Sequence, residues 1–399
     1  MILREMELAT LRGLVRRHPV TGIVGARQVG KTTLARQFLS RSEGPSAFFD
    51  LENSEQLSRL EDPMVALKDL KGLVVIDEVQ QMPGLFRVLR VLADRPRNRT
   101  RFLILGSASP DLLRQGSETL AGRIVYHELG GLSLEEVKPA NRDRLWLRGG
   151  FPRSYLARSE GASDEWRRAF LKTFLERDLP QLGITVGATT LRRFWTMLAH
   201  YHGNIWNSSE FARSFGVPDT TVRRYLDLLT SALVVRQLSP WHENIAKRQV
   251  KAPKVYLADS GLLHTLLGIR TRTDLEVHPK VGASWEGFAI DQVIRRLGAR
   301  PDQCFFWATH GGAELDLLVV SGRRRLGFEA KRTSSPRLTP SMRSALADLR
   351  LDRLDVIHAG DETYPLAERV RAVSLSRLLE DLPSSSRGRV TRRARSARS

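Results

Sequence analysis

The sequence predicts an α/β protein whose first 140 residues form a doubly wound sheet of parallel strands. Five apolar runs rich in β-branched and aromatic residues support this class, and helical segments separate most of them. The runs are residues 20–26, 46–51, 72–79, 101–109 and 123–129. Because they are continuously apolar rather than alternating, both faces of each strand should be covered, as in parallel sheets flanked by helices.

The composition favours a polyanionic partner and a reducing compartment. The chain has 399 residues, 41% of them hydrophobic, with a net charge of +19. This charge favours nucleic acid or an anionic surface as partner. The single cysteine, Cys304, excludes an internal disulfide framework and a cysteine-built zinc site. No apolar run approaches the ~18 residues that cross a bilayer, so we expect a cytoplasmic protein without membrane contact.

The organisation of the chain suggests three folded regions and a tail. We expect domains at residues 1–140, 141–240 and 241–382. Residues 384–399 contain six arginines and no acidic residue. Such a segment cannot bury enough apolar surface to offset its ordering entropy, which predicts a disordered basic tail over 383–399.

A phosphate-binding loop is the strongest local signal. The stretch "GARQVGKTT" fits the pattern G-x-x-x-x-G-K-[ST] and lies between a predicted strand and a predicted helix. In such a loop, backbone N–H groups hold the phosphates, the lysine reaches the β/γ oxygens and the threonine hydroxyl binds Mg²⁺. The alternative is a chance glycine turn, which the flanking elements disfavour. The predicted nucleotide-binding residues are Gly25, Ala26, Arg27, Gln28, Val29, Gly30, Lys31, Thr32 and Thr33.

Two acidic residues follow the third apolar run. Asp77 and Glu78 come directly after "LVVI". In a P-loop enzyme, an aspartate at this place joins Thr32 in the Mg²⁺ shell, and the adjacent glutamate polarises the attacking water. Two solvated acids at a strand end are the alternative. The predicted cofactors are therefore ATP and Mg²⁺.

The middle region contains a candidate DNA-binding module. Residues 206–241 predict two helices joined by a turn at Gly216 and followed by a β-rich run, which is typical of a winged helix-turn-helix. Near the start of the second helix, Thr220, Thr221, Arg223 and Arg224 would face the major groove of DNA. Alternatively, the module packs against the ATPase or a protein partner and reads no base.

Acidic residues also alternate on two strands near the carboxyl end. Asp316 and Glu314 share a face of one predicted strand, and Glu329 and Lys331 share a face of the next. Neighbouring strands lie about 5 Å apart, so Asp316 and Glu329 could hold Mg²⁺ or Mn²⁺ between them. Lys331 would then lie beside a water that attacks a phosphodiester. The alternative is a degenerate core whose acids pair with the arginines at 323–325.

The order of five segments resembles that of a known ATPase family. The segments "GARQVGKTTL", "FFDLE", "VVIDEVQ", "LILGSAS" and "LAGR" resemble those of bacterial and archaeal AAA-type P-loop ATPases that carry a C-terminal domain of unknown function. The resemblance covers residues 1 to about 365. It implies that Ser107 is a sensor beside the γ-phosphate and that Arg123 is an arginine finger. A finger acting in trans requires a homo-oligomer; otherwise Arg123 is a surface residue that pairs with Glu118 or Glu128.

A second resemblance concerns the carboxyl-terminal region. The order of Asp316, Glu329 and Lys331 resembles the PD-(D/E)xK restriction-endonuclease-like superfamily. This implies a nuclease-like α/β domain in which Glu286, on an upstream helix, is a further metal ligand. We therefore expect an ATP-hydrolysing protein that acts on or is bound to DNA, with DNA cleavage left open. The alternatives are a DNA-remodelling motor or a nucleotide-gated switch, which binds DNA or a protein partner, with an inactive nuclease-like domain.

Overall fold

The computed structural model describes residues 2–96, 100–107, 118–181, 186–243 and 249–384. It contains two compact units. The first comprises Met1–Gly131, Arg177–Ile184 and Ser231–Val234; the second comprises Leu132–Glu176, Thr185–Thr230 and Val235–Ser399. Most of the predicted middle and carboxyl-terminal domains therefore lies within one unit. The predicted basic tail lies outside the described residues from position 385 onward.

The first unit is built on parallel strands. Its helices and strands are α1 (Glu5–Arg17), β1 (Val20–Gly25), α2 (Lys31–Leu39), β2 (Ser46–Asp50), α3 (Ser54–Arg59), α4 (Pro63–Leu67), β3 (Gly72–Asp77), α5 (Leu85–Ala93), β4 (Thr100–Ser107) and β5 (Ile124–Glu128). The strands pair in the order β2-β3-β4-β1-β5, and every pair is parallel. The predicted parallel α/β class is confirmed for this unit.

Helices cover both faces of this sheet. Phe86 of α5 belongs to the same apolar cluster as Val74 and Ile76 of β3. Val75, between these two residues, points to the opposite face and is also fully buried. Both faces are thus excluded from water, which explains why the strand sequences are continuously apolar.

The rest of the chain is mixed in class. Its elements are α6 (Leu134–Val137), α7 (Arg142–Arg148), α8 (Pro152–Tyr155), α9 (Glu160–Thr173), a π-helical turn (Phe174–Asp178), α10 (Leu179–Gln181), α11 (Ala188–His200), β6 (Asn204–Ile205), α12 (Ser208–Phe215), α13 (Asp219–Ser231), β7 (Val235–Pro240), β8 (Lys254–Leu257), α14 (Ser260–Leu266), α15 (Arg272–Val277), α16 (Val281–Leu297), β9 (Cys304–Ala308), β10 (Glu314–Ser321), β11 (Arg324–Lys331), α17 (Pro340–Asp348), β12 (Arg353–His358), β13 (Tyr364–Ala367), β14 (Val370–Ser374) and α18 (Leu378–Asp381). In the described ranges, none of the helices is both long and apolar enough to cross a lipid bilayer.

The strands of the second unit share one sheet. Among the described residues, the order is β13-β14-β12-β11-β10-β9-β7-β8-β6. Strands β9, β10 and β11 form an antiparallel meander, and β11 then pairs in parallel with β12. The meander places the acidic residues of β10 beside those of β11, and β7 connects this part of the sheet to β8.

The segment "LADSGLLHTLLG" (257–268) has a structural role. The Asp259 carboxylate accepts hydrogen bonds from the backbone N–H groups of Leu262 (2.9 Å) and Gly150 (2.7 Å), so it caps α14 and also ties it to the chain after α7. A Cβ at Gly261 would lie 2.1 Å from the Arg148 carbonyl oxygen. The aspartate and the glycine thus allow α14 to pack directly on the end of α7.

Candidate functional site

The loop between β1 and α2 has the backbone geometry of a phosphate cradle. Gln28 and Gly30 adopt left-handed conformations, with φ of 63° and 101°. A Cβ at Gly25 would lie 2.5 Å from the Leu129 carbonyl oxygen, so only glycine fits there. The loop leads directly into the amino terminus of α2, whose unpaired N–H groups and dipole favour a bound phosphate.

Lys31 lies inside this loop. Its ammonium donates hydrogen bonds to the carbonyl oxygens of Gly25 and Ala26, both at 3.1 Å. Burial lowers the pKa of Lys31, while the carboxylates of Glu78 and Asp77 act in the opposite direction. The positive charge is therefore held by neutral groups of the loop, with the acids at the end of β3 and just after it nearby.

The predicted magnesium ligands are adjacent. The Thr32 hydroxyl is hydrogen-bonded to the Asp77 carboxylate, and the Glu78 backbone N–H donates to Asp77 Oδ1 at 2.9 Å. Burial raises the pKa of Asp77, which is 2% exposed. A hydroxyl oxygen beside a carboxylate is a donor set that suits Mg²⁺. Glu78 adopts a left-handed conformation, φ 54°, and its carboxylate accepts a hydrogen bond from the Gln80 amide.

The parallel sheet explains why these residues meet. Strand β4 lies between β1 and β3, and the carboxyl ends of all three strands reach the same edge. In open parallel sheets, ligands bind at this edge. Ser107 ends β4 and is in register with Gly25, so its backbone lies beside the phosphate-binding loop. The side chain of Ser107 lies outside the described part of the chain.

The loop arginine has partners that the sequence did not indicate. Arg27 donates to Asp178 Oδ1 at 2.8 Å and to Glu52 Oε1 at 3.1 Å. Burial raises the pKa of Asp178. Asp178 is 151 residues away from Arg27, so no local pattern could have shown the contact. In this structure Arg27 is held by the protein itself rather than pointing freely toward the phosphates.

Arg123 lies at the other edge of the sheet. It directly precedes β5, and its carbonyl oxygen accepts a hydrogen bond from the Val20 backbone N–H at the start of β1. Its guanidinium binds Asp94 at 2.6 Å, rather than Glu118 or Glu128. The six residues of β1 span about 20 Å, so Arg123 is about that far from its own phosphate-binding loop.

The predicted DNA-contacting residues lie near the start of α13. Thr220, Arg223 and Arg224 are exposed and Thr221 is half-buried. The turn at Gly216 has a φ of 65°, which glycine adopts without strain. The hydroxyls of Ser208 and Ser209 at the start of α12 donate to Asp219 Oδ2, both at 2.9 Å, and so fix α12 against α13.

The acidic residues of the meander come together as their strands pair. Asp316 and Glu329 are 5% and 4% exposed, and their carboxyl groups share a hydrogen bond. Asp316 also accepts a hydrogen bond from the Ala330 backbone N–H at 3.0 Å. Burial and the Asp316 charge raise the pKa of Glu329 well above its usual range, so Glu329 is the proton donor to Asp316. Lys331 lies 3.3 Å from Glu329 and is far more exposed.

A lysine that the sequence did not single out occupies the centre of this cluster. Lys254 begins β8 and is 3% exposed. Its ammonium lies 2.7 Å from Glu286 Oε1, 2.5 Å from Glu314 Oε1 and 3.3 Å from Asp316 Oδ1. The Tyr256 hydroxyl donates to the same oxygen of Glu286 at 2.6 Å.

The predicted second metal site does not fit this arrangement. In the part of the chain that the structure describes, no three acidic, histidine or cysteine side chains are placed to hold a metal ion. A divalent ion needs carboxylate oxygens at 2.0–2.6 Å. The ammonium of Lys254 already contacts two of the predicted metal ligands, Glu286 and Asp316. It also contacts a neighbouring acid, Glu314. The alternative prediction pairs these acids with the arginines at 323–325. Of these arginines, Arg325 binds Glu243 instead.

Comparison with known protein families agrees with the phosphate-binding site of the first unit. The profile of an AAA domain matches residues 17–138, and two profiles of domains of unknown function match residues 140–273 (DUF8612) and 281–378 (DUF4143). Together with the parallel sheet and the phosphate-binding loop, the first match defines the first unit as an AAA-type P-loop ATPase domain.

Close relatives occur in mycobacteria. "Uncharacterized protein Rv2008c" of Mycobacterium tuberculosis and "Uncharacterized protein Mb2031c" of Mycobacterium bovis are each 53% identical over 379 residues. The match spans 95% of this chain and 85% of each relative. The chain belongs to the same family as these two proteins.

Solved structures show more distant similarity. The Walker-type ATPase PABY2304 of Pyrococcus abyssi is 15% identical, with a TM-score of 0.47, covering 67% of this chain and 96% of that one. RuvB of Thermotoga maritima is 18% identical, with a TM-score of 0.28, covering 59% and 90%. With TM-scores this low, neither similarity carries a conclusion about activity or assembly.

Proposed function

We propose that this protein hydrolyses ATP with its first unit and acts on or is bound to DNA with its second. The observation that carries the ATPase part is the meeting of Lys31, Thr32, Asp77 and Glu78 at the carboxyl edge of the parallel sheet. These are the groups that phosphoryl transfer to water requires: a phosphate-binding cation, two magnesium ligands and an acid that orients the water.

Each residue has a distinct part in the proposed reaction. The backbone N–H groups of the loop and of the start of α2 bind the phosphates. Lys31 exchanges the carbonyl oxygens of Gly25 and Ala26 for phosphate oxygens, which is favourable because a charged acceptor replaces neutral ones. Thr32 and Asp77 would hold Mg²⁺, which neutralises charge on the phosphates when bound. Glu78 accepts a proton from the attacking water.

The geometry of α11 to β8 supports the DNA part of the proposal. Helix α12, the Gly216 turn and α13 are followed by β7 and β8, which pair in antiparallel fashion, and β6 pairs with β8. This order is typical of a winged helix-turn-helix. Exposed Arg223 and Arg224 near the start of α13 would approach DNA. The net charge of +19 also favours binding to DNA.

Assembly is a further part of the proposal. Arg123 is remote from its own phosphate-binding loop and half-exposed, and in the described part of the chain its guanidinium binds Asp94. A finger at this place would act on a neighbouring subunit, so efficient hydrolysis would need a homo-oligomer. The backbone of Ser107, beside Gly25, supports its proposed role as the sensor of the γ-phosphate.

For the carboxyl-terminal domain, we favour a nuclease-like fold without metal-dependent cleavage. The β9–β11 meander, the parallel β12 and helix α16 support a restriction-endonuclease-like core. The position of Lys254 among the acids favours the alternative of a DNA-remodelling motor or a nucleotide-gated switch. Under this alternative, Lys331 and Glu329 lie side by side at the end of β11 and have no catalytic part.

DNA binding of the full chain and its salt dependence test the DNA part of the proposal. We expect Arg223→Ala/Arg224→Ala to weaken duplex binding and to reduce the slope of log affinity against log salt by roughly 2. The matched control is Arg337→Ala/Arg343→Ala, which removes the same charge from exposed positions elsewhere. Equal losses in both variants would show that binding follows net charge alone, and would leave α13 to contact a protein partner.

A further inference from the structure

Three acidic side chains of the second unit surround one buried cation, the ammonium of Lys254. Lys254 comes from β8, Glu286 from α16, and Glu314 and Asp316 from β10. The ammonium lies within 3.3 Å of an oxygen of each carboxyl group. Three segments that are distant in sequence thus meet at a single charged atom.

The ammonium satisfies these carboxyl groups in the way a bound metal ion would. Buried carboxylates are costly unless they are paired and hydrogen-bonded, and Lys254 supplies three donors in one group. The Tyr256 hydroxyl gives Glu286 a second donor at 2.6 Å. The Ala330 backbone N–H gives Asp316 a further one at 3.0 Å.

A divalent ion would need the same oxygen atoms. It would have to lie closer to them than the ammonium does, because Mg²⁺ and Mn²⁺ bind oxygen at short distances. Two cations this close in a buried site would repel each other strongly. Lys254 is almost fully buried on strand β8, so it cannot simply move into solvent.

We propose that Lys254 is a built-in counter-ion that takes the place of a metal ion and keeps divalent cations out of this cluster. The second unit therefore holds its acids together without a metal, and removing the lysine lets Glu286, Glu314 and Asp316 close around a divalent cation in its place. This deepens the alternative that we favour above, in which the nuclease-like domain has no metal-dependent activity.

Manganese binding to the full chain tests the proposal. The reference protein carries Asp77→Asn and is free of nucleotide, so that the phosphate-binding loop contributes no Mn²⁺ site. Loss of the EPR signal of free Mn²⁺ reports binding, and the melting temperature with and without Mn²⁺ reports its effect on the fold. We expect the reference protein to bind no Mn²⁺ and to show no shift in melting temperature. The same protein with Lys254→Ala should bind Mn²⁺ and should melt at a different temperature when Mn²⁺ is present.

Two further variants serve as controls. Lys331→Ala removes an exposed lysine that lies 3.3 Å from Glu329 and does not belong to the Lys254 cluster, so it should create no Mn²⁺ site. Adding Asp316→Asn to Lys254→Ala should abolish the site that the first substitution creates. If Lys254→Ala does not fold in the absence of metal, Lys254→Gln keeps a neutral hydrogen-bond donor and is titrated in the same way.

The proposal is overturned by either of two results. The first is that the reference protein binds Mn²⁺ and that adding Asp316→Asn abolishes this binding. The lysine would then not exclude the metal. The second is a folded Lys254 variant that binds no Mn²⁺, since something other than the lysine then excludes it. Neither result depends on ATP hydrolysis or DNA binding, so failure here is distinct from failure of the proposed ATPase.

Discussion

The two buried lysines, Lys31 and Lys254, have opposite surroundings. Lys31 donates to neutral carbonyl oxygens, and burial lowers its pKa. Burial also acts against the charge of Lys254, but the surrounding carboxyl groups of Asp316, Glu286 and Glu314 outweigh it and raise its pKa well above the usual value. A cation held by neutral groups gains from an arriving phosphate, whereas one held by several acids is already neutralised. The first site is open to an anionic ligand and the second is complete without one.

The largest effect should follow from removing Lys31. Lys31→Ala deletes the lysine of the phosphate-binding loop that is proposed to reach the β/γ phosphates. We expect ATP hydrolysis to fall at least about a hundredfold, as when a donor to transition-state charge is lost. Release of phosphate at saturating Mg-ATP measures it. Arg36→Ala, which removes an exposed cation from the same helix, is the control and should leave the rate unchanged. A wild-type rate in Lys31→Ala would refute the proposed ATPase site.

The second largest effect distinguishes two lysines of the second unit that lie beside different acids. Lys254→Ala leaves buried carboxyl groups without their cation and should destabilise the second unit by about 3–5 kcal/mol in EDTA. Lys331→Ala removes a partly exposed contact with Glu329 and should cost about 0–1 kcal/mol. Urea unfolding of the two variants gives both values. Similar losses would contradict the view that Lys254 is the central counter-ion.

Acid should weaken the second unit through His264. Its ring bonds the Leu147 carbonyl oxygen (3.0 Å) and the Ser284 hydroxyl (2.7 Å), and burial lowers its pKa from 6.5 to about 3. The unfolded chain therefore binds a proton that the folded chain does not. Stability is fully present above about pH 6.5 and falls toward pH 3, by up to about 1.4 kcal/mol per pH unit.

A variant isolates this histidine from other acid effects. His264→Asn keeps polar atoms at the position but has no titrating ring, so its stability should fall less steeply between pH 6 and pH 4 than that of the wild type, as followed by urea unfolding at each pH. The two slopes would be equal if His264 did not contribute to acid sensitivity.

The smallest effect concerns the arginine of the phosphate-binding loop. Asp178→Asn replaces a charged acceptor of Arg27 by a neutral one, while Glu52 remains. We expect about 1 kcal/mol, or roughly a fivefold change, in the affinity for ATP. Titration with a fluorescent ATP analogue measures it. Glu52→Gln changes a much more exposed partner and should have less effect; the reverse order would show that Asp178 does not hold the loop.

Short-range patterns explain what could be predicted. The five strands of the first unit and its phosphate-binding loop follow from apolar runs and from residue spacing over fewer than ten positions. The proximity of Asp316 and Glu329 also follows from pattern, because β10 and β11 are consecutive strands of a meander. The segment 257–268 stood out without a mechanism, and the capping by Asp259 is visible only in the structure.

By itself, the sequence determined the parallel α/β class of the first unit and the residues that could bind a phosphate, because strand pattern, glycine turn and helix start are local properties. Only the tertiary structure decided which charges neutralise one another. Lys254 is 62 residues from Asp316, and Arg27 is 151 from Asp178. Such contacts depend on the order of strands in the sheet and on the burial of both partners, and neither leaves a periodic signal in the chain.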